Sequence, residues 1–203
     1  MHRDTIDSAP ASPTMLFVPG WQGSGPGHWQ RLWLERYANA YWLEQSNWCR
    51  PQLHDWLASL DRALEHISSP VFLVAHSLGS LLVAHWAAKT DKQNRVSGAL
   101  LVAPPWLGDA ASAAIELRDF APTPVSRLKF RSCLVASEND PYLPLPLARC
   151  IASAWGSDFV NAGEAGHLNV ASGHGEWPEG EQLLRRFGAV GAENALEVEH
   201  VSA

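Results

Sequence analysis

Apolar residues in this chain fall into short unbroken runs, each stopped by glycine, proline or a polar cluster. The runs cover residues 15–19 (MLFVP), 71–75 (VFLVA), 99–103 (ALLVA) and 133–136 (CLVA). An unbroken run suits a parallel strand covered on both faces better than a strand with one wet face. Residues 41–43 and 158–161 read as two shorter strands. Between the runs the apolar spacing becomes helical. Trp29, Leu32 and Trp33 share one face of a segment over 28–37, and Leu53, Trp56, Leu57, Leu60 and Leu64 share a face of 51–66, which Pro51 opens. Further helices are predicted over 80–89, 145–155 and 181–187, with loops at 20–27 and 162–180 and an irregular stretch at 106–128 rich in alanine and proline.

Strands that alternate with helices predict a parallel sheet with helices on both faces. Right-handed crossovers then bring every strand's carboxyl end to one edge, where ligands bind in such sheets. The pattern predicts one α/β domain over 14–190, a polar arm at 1–13 and a frayed tail at 191–203. No apolar segment approaches the roughly 20 residues that span a bilayer, and the polar start lacks a secretory core, so the expected location is the cytoplasm. A formal net charge of −6 gives no reason to seek nucleic acid or an anionic membrane. Cys49, Cys133 and Cys150 form no Cys-x-x-Cys pair, which predicts reduced, half-buried thiols and neither a metal site nor a disulfide framework. The ten tryptophans exceed ordinary use; most are expected to pack helices on the sheet, while Trp21 and Trp106, each directly after a predicted strand, are candidates to line a pocket.

The chemically suggestive segments also follow predicted strands. Ala75-His76-Ser77-Leu78-Gly79 lies between a buried strand and a helix. A sharp turn there lifts a serine hydroxyl above the sheet edge, and small residues two before and two after let neighbouring backbone approach. Alanine stands where glycine is usual. Serine is also a preferred helix cap, so the pentapeptide alone does not decide. Serine needs a base. His167, in Ala165-Gly166-His167-Leu168-Asn169 after the last predicted strand, is the candidate; His174 in the same loop is its rival. His54, His66 and His85 fall in predicted helices, where surface or packing roles suffice, and His76 is expected to pack beside the serine. An acid must hold the base's tautomer. Asp140 follows the CLVA strand closely, with Glu138 and Asp158 nearby; Asn-Asp-Pro is also a common turn. The order serine, acid, histidine is that of the α/β-hydrolase arrangement.

Backbone N–H groups must hold an oxyanion. Leu78, at the helix start, is the first expected donor, and Trp21, in the glycine-rich loop after the first strand, the second, with Gln22 as alternative. That loop lacks the Gly-Lys-Ser/Thr ending of a phosphate cradle. His28 begins the next helix and either faces the pocket or caps and packs.

The chain resembles the small serine hydrolases typified by retinoblastoma-binding protein 9. The resemblance runs from about residue 15 to 187. It rests on Val18-Pro19-Gly20-Trp21, Gly27-His28-Trp29, the serine pentapeptide, Asn139-Asp140-Pro141-Tyr142 and Gly166-His167-Leu168-Asn169, and above all on Gly175-Glu176-Trp177-Pro178-Glu179-Gly180. It implies a compact three-layer α/β-hydrolase fold with a mostly parallel sheet and no large lid, and a triad on Ser77, Asp140 and His167. The founder's Leu-x-Cys-x-Glu motif for the retinoblastoma protein does not occur here, so that partnership is not carried over.

The expected reaction is hydrolysis of an ester, thioester or activated amide of a small-molecule acyl substrate through an acyl-enzyme on Ser77, with no metal or cofactor required. Competing readings are an acyltransferase or carbon–carbon bond hydrolase on the same fold, and a catalytically silent binding protein.

Overall fold

The computed structural model of the chain describes residues 12–109 and 113–189. The expected tail, and the arm up to residue 11, lie outside the described residues. The described residues form six strands and five helices, in the order β1 (Thr14–Val18), α1 (Trp29–Arg36), β2 (Ala40–Trp42), α2 (Leu53–His66), β3 (Val71–His76), α3 (Leu78–Lys89), β4 (Val96–Val102), β5 (Ser132–Ala136), α4 (Leu145–Trp155), β6 (Asp158–Asn161) and α5 (Pro178–Arg186). Short 3-10 turns occupy Lys92–Arg95, Ile115–Phe120 and Val170–Ser172.

The strands form a single parallel sheet in the order β2-β1-β3-β4-β5-β6. The chain moves outward from β1 to β2 and then returns to the other side of β1 for β3. The carboxyl ends of β1 and β3 therefore flank the point where the winding reverses, the place where such sheets open a crevice.

Successive side chains on a strand point to opposite faces, and this alternation builds two cores. Leu16, Val18, Leu73, Ala75, Leu101 and Leu134 meet α2, α3 and α4. Met15, Phe17, Phe72, Val74, Leu100 and Val135 meet α1 and α5. The three-layer expectation holds. Tryptophan divides largely as expected: Trp29, Trp33, Trp56, Trp86, Trp155 and Trp177 are buried, whereas Trp106 is exposed. The cysteines do not. Cys133 is buried, its thiol pushed up to about 12 by burial, while Cys49 and Cys150 are exposed, so none is half-buried. Cys150 points away because α4 buries Ala148, Ile151, Ala152 and Trp155 instead. Among the described residues no helix is long and apolar enough to cross a membrane.

Helix α3 is buried all round from Leu78 to Ala87. It is seated against the first strand: a Cβ on Gly79 would collide with the Val18 and Pro19 carbonyl oxygens. A Cβ on Gly20 would lie 2.8 Å from that of Ser77. Two chain segments thus meet backbone to backbone at the serine turn. Gly79→Ala is expected to cost about 3 kcal/mol or more by overpacking rigid backbone, lowering Tm by roughly 6–12 °C. A thermal melt of the variant at wild-type values would contradict this packing.

Candidate active site

Ser77 has φ 54° and ψ −125°, outside the regions an L-residue prefers. Such a backbone costs on the order of 1–3 kcal/mol and persists only where its surroundings enforce it. Here the Ser77 N–H donates to Val102 O at 2.9 Å and the Ser77 carbonyl accepts from Ser80 N–H at 2.9 Å. The Ser77 side chain makes no cap bond to α3, so the capping alternative is not what the structure contains. The hydroxyl instead lies 2.9 Å from His167 Nε2.

His167 Nδ1 is 3.0 Å from both carboxylate oxygens of Asp140. That contact assigns the ring proton to Nδ1, donated to the acid, and leaves Nε2 as an acceptor facing Ser77. Tyr142 N–H donates to Asp140 Oδ1 at 2.9 Å, so the Asn-Asp-Pro turn and the candidate acid are one feature. The Tyr142 ring stands edge-on to the His167 ring with centroids 4.7 Å apart. The rivals lie elsewhere. His174 Nδ1 contacts Ser172 Oγ at 3.3 Å, Glu138 accepts from Asn161 Nδ2 at 2.7 Å, and Asp158 faces Arg131 at 4.0 Å.

Two sets of contacts hold the histidine loop. On the acid side, Ala165 N–H donates to Ser137 Oγ at 2.9 Å and Gly166 N–H to Asn139 Oδ1 at 2.6 Å. On the other side, Trp29 Nε1–H donates to Leu168 O at 2.8 Å and Trp33 Nε1–H to Glu176 O at 3.0 Å. The Trp33 and Trp177 rings stack at 5.7 Å, and Trp29 meets Trp177 at 5.2 Å. Trp177 itself is left-handed (φ 47°), Pro178 opens α5, and a Cβ on Gly180 would enter the Trp177 ring. Arg36 bridges Glu176 and Glu181, each at 2.6 Å, and Tyr37 donates to Glu181. The Gly-Glu-Trp-Pro-Glu-Gly segment is therefore a clamp between the histidine loop and α1. Its partners lie about 140 residues upstream, which is why no local sequence rule exposes it.

A cleft of about 1040 Å³ opens over Ser77. Trp21, Gln22, His28, His76, Trp106 and Tyr142 all line it, as does Leu78. The Gln22 N–H is taken by Trp48 O at 3.0 Å, whereas the Trp21 N–H meets no acceptor among the described residues. Leu78, first residue of α3, has a free N–H by the geometry of helix starts. The Trp21 indole points away, donating to Cys49 O at 3.0 Å.

Three histidine rings run in a row beside the serine: His28 to His76 at 4.9 Å and His76 to His167 at 5.1 Å. His76 Nε2–H donates to His167 O at 2.9 Å. Burial, reinforced by the neighbouring histidines, holds His76 well below its ordinary range, and burial with the nearby His167 lowers His28 to about 4. Both rings are neutral near pH 7. Among the described residues no cluster of His, Cys, Asp or Glu could hold a metal ion.

A strained strand-to-helix serine turn on a parallel, doubly covered sheet defines the α/β-hydrolase class. The chain belongs to the serine hydrolase family, whose sequence profile matches residues 15–186. It is similar to a putative YdeN-like hydrolase from Pectobacterium atrosepticum, with 31% identity over 87% of this chain and 91% of that one and a TM-score of 0.77. The fold is also that of the ydeN gene product from B. subtilis (18% identity, 87% and 98% covered, TM-score 0.66). A third likeness of fold is esterase 2 from Thermogutta terrifontis (17%, 91% and 88%, TM-score 0.64). No curated protein matches the chain.

The buried histidines set an acid limit on stability. A histidine whose folded value is depressed binds its proton more readily when unfolded, so stability falls as pH drops below about 6.5 and the loss grows until the folded value is reached. For His28 the window runs from 6.5 to about 4, and its contribution is on the order of 3 kcal/mol at most. Denaturant unfolding at pH 7, 5.5 and 4.5 is expected to show a steady decline, shallower in His28→Asn. Stability that stays level or rises over that range would contradict the neutral, buried assignment.

Proposed function

We propose that the protein hydrolyses carboxylic esters, and by the same chemistry thioesters or activated amides, through an acyl-enzyme on Ser77. The observation that carries this is the unbroken contact from the Ser77 hydroxyl, through His167 at 2.9 Å, to Asp140 at 3.0 Å, on a backbone turn strained to hold it. His167 Nε2 takes the Ser77 proton as Oγ attacks the carbonyl carbon, and the developing oxyanion is held by the Leu78 and Trp21 N–H groups. Asp140 keeps the Nδ1–H tautomer and stabilises the imidazolium. His167 then protonates the departing alcohol, thiol or amine as the tetrahedral intermediate collapses to the acyl-enzyme. Water, deprotonated by His167, attacks the acyl carbon; the second intermediate releases the acid and returns the proton to Ser77. His76, bonded to the His167 carbonyl, and Tyr142, edge-on to its ring, fix the imidazole's place.

Ser77→Ala is expected to abolish labelling by a fluorophosphonate probe and turnover of short nitrophenyl esters, and Asp140→Asn to lower kcat by roughly 10³–10⁴-fold. Wild-type labelling in Ser77→Ala, read by intact mass, would overturn the assignment.

A further inference from the structure

His28 holds the first position of the cleft's polar side, and its two ring nitrogens do different work. Nδ1 accepts from the Gln30 N–H at 3.2 Å, capping α1. A neutral ring with Nδ1 as acceptor carries its proton on Nε2, and the ring is neutral because burial and the nearby His167 lower it to about 4. That Nε2–H has no partner among the described residues. Among the described residues only four buried side-chain polar atoms are so placed, on His28, Trp42 and Gln45, and of these residues only His28 lines the cleft. His28 is 95% buried, with 5% of its surface exposed, and a buried donor without an acceptor calls for an explanation.

The opposite side of the cleft is different in kind. Leu107, Ala113 and Leu117 line it and belong to the core on the α2, α3 and α4 face. His28 packs against Trp29, in the core on the α1 and α5 face. The cleft therefore straddles the sheet edge, apolar but for the Asp109 carboxylate on one side of Ser77 and donor-bearing on the other. No lysine or arginine lines it among the described residues.

We propose that the cleft selects an uncharged ester whose one arm is apolar, seated on Leu107 and Leu117, and whose other arm carries an acceptor atom that receives a hydrogen bond from His28 Nε2–H. This rests on the hydrolase reading and adds the substrate class to it. A site built around a buried donor discriminates against an analogue that lacks the acceptor, because the donor is then left unpaired. An anionic acyl carrier meets no compensating cation in the cleft and approaches a chain of formal charge −6.

The test compares isosteric esters that differ by one acceptor: nitrophenyl methoxyacetate against nitrophenyl butyrate for the acyl arm, and pyridyl butyrate against phenyl butyrate for the leaving arm. Each kcat/KM is divided by the ester's own alkaline hydrolysis rate. Wild type is expected to favour the acceptor-bearing member of one pair by about tenfold, and to turn over the anionic nitrophenyl hemisuccinate at least about tenfold more slowly than the butyrate. His28→Asn keeps a cap acceptor in place of Nδ1 but has no atom where Nε2 lies, so it loses the preference. His28→Gln, whose amide reaches that place, recovers part of it. No preference in either pair, a preference retained in His28→Asn, or hemisuccinate turned over as fast as butyrate would overturn the proposal. The wild-type comparison decides even if a variant fails to fold. Fluorophosphonate labelling of wild-type Ser77 separates the two readings: no label sinks the hydrolase reading, whereas label without preference sinks only this inference.

Discussion

The backbone of Ser77 is the constraint around which the structure is arranged. An L-residue at φ 54° and ψ −125° does not hold itself there. It is held because β3 ends and α3 begins within one residue, both buried, with Gly79 pressed on the Val18 carbonyl and Gly20 on the serine Cβ. The free energy that offsets this strain comes from the two cores packed on the faces of the sheet. Its local result is that Oγ stands above the sheet edge and makes no cap bond, free to face a residue 90 positions later in the chain.

That later residue needs its own support, because a loop histidine would otherwise sample many positions. The support is a clamp from two directions. Ser137 and Asn139 tie the loop to the acid strand. Trp29, Trp33 and Trp177 tie it to α1 and α5. Placing His167 therefore falls to tertiary contacts, the packing of three indoles among them, and α1 serves the site twice from its N-terminal end: its first residue bonds the histidine loop while its cap, His28, lines the cleft.

How much of this was legible beforehand follows from which interactions are local. The four central strands read directly from sequence because burial on both faces removes polar positions from them. Helix α3 begins at Leu78, two residues before the segment the pattern marks, because a helix buried all round has no stripe to locate its start. Helix α5 begins at Pro178 rather than 181, since the left-handed Trp177 before it follows from ring packing and not from its neighbours in sequence. Ser77, Asp140 and His167, which the structure brings together, were legible as candidates because each follows a strand in the expected order. The exposure of Cys49 and Cys150 and the row of three histidine rings were not, since both depend on which helix face or loop turns inward. The Asn-Asp-Pro-Tyr sequence did carry a signal for Tyr142, whose N–H meets Asp140 and whose ring meets His167.

The proposed reaction turns on covalent acylation of the Ser77 oxygen during turnover. The most direct measurement is an acid quench within the first turnovers of a nitrophenyl ester, followed by mass mapping of the peptide that contains Ser77. A burst of nitrophenol matched by one acyl group on Ser77 is expected. Steady turnover with that peptide unmodified, or with the acyl group on another residue, would contradict it.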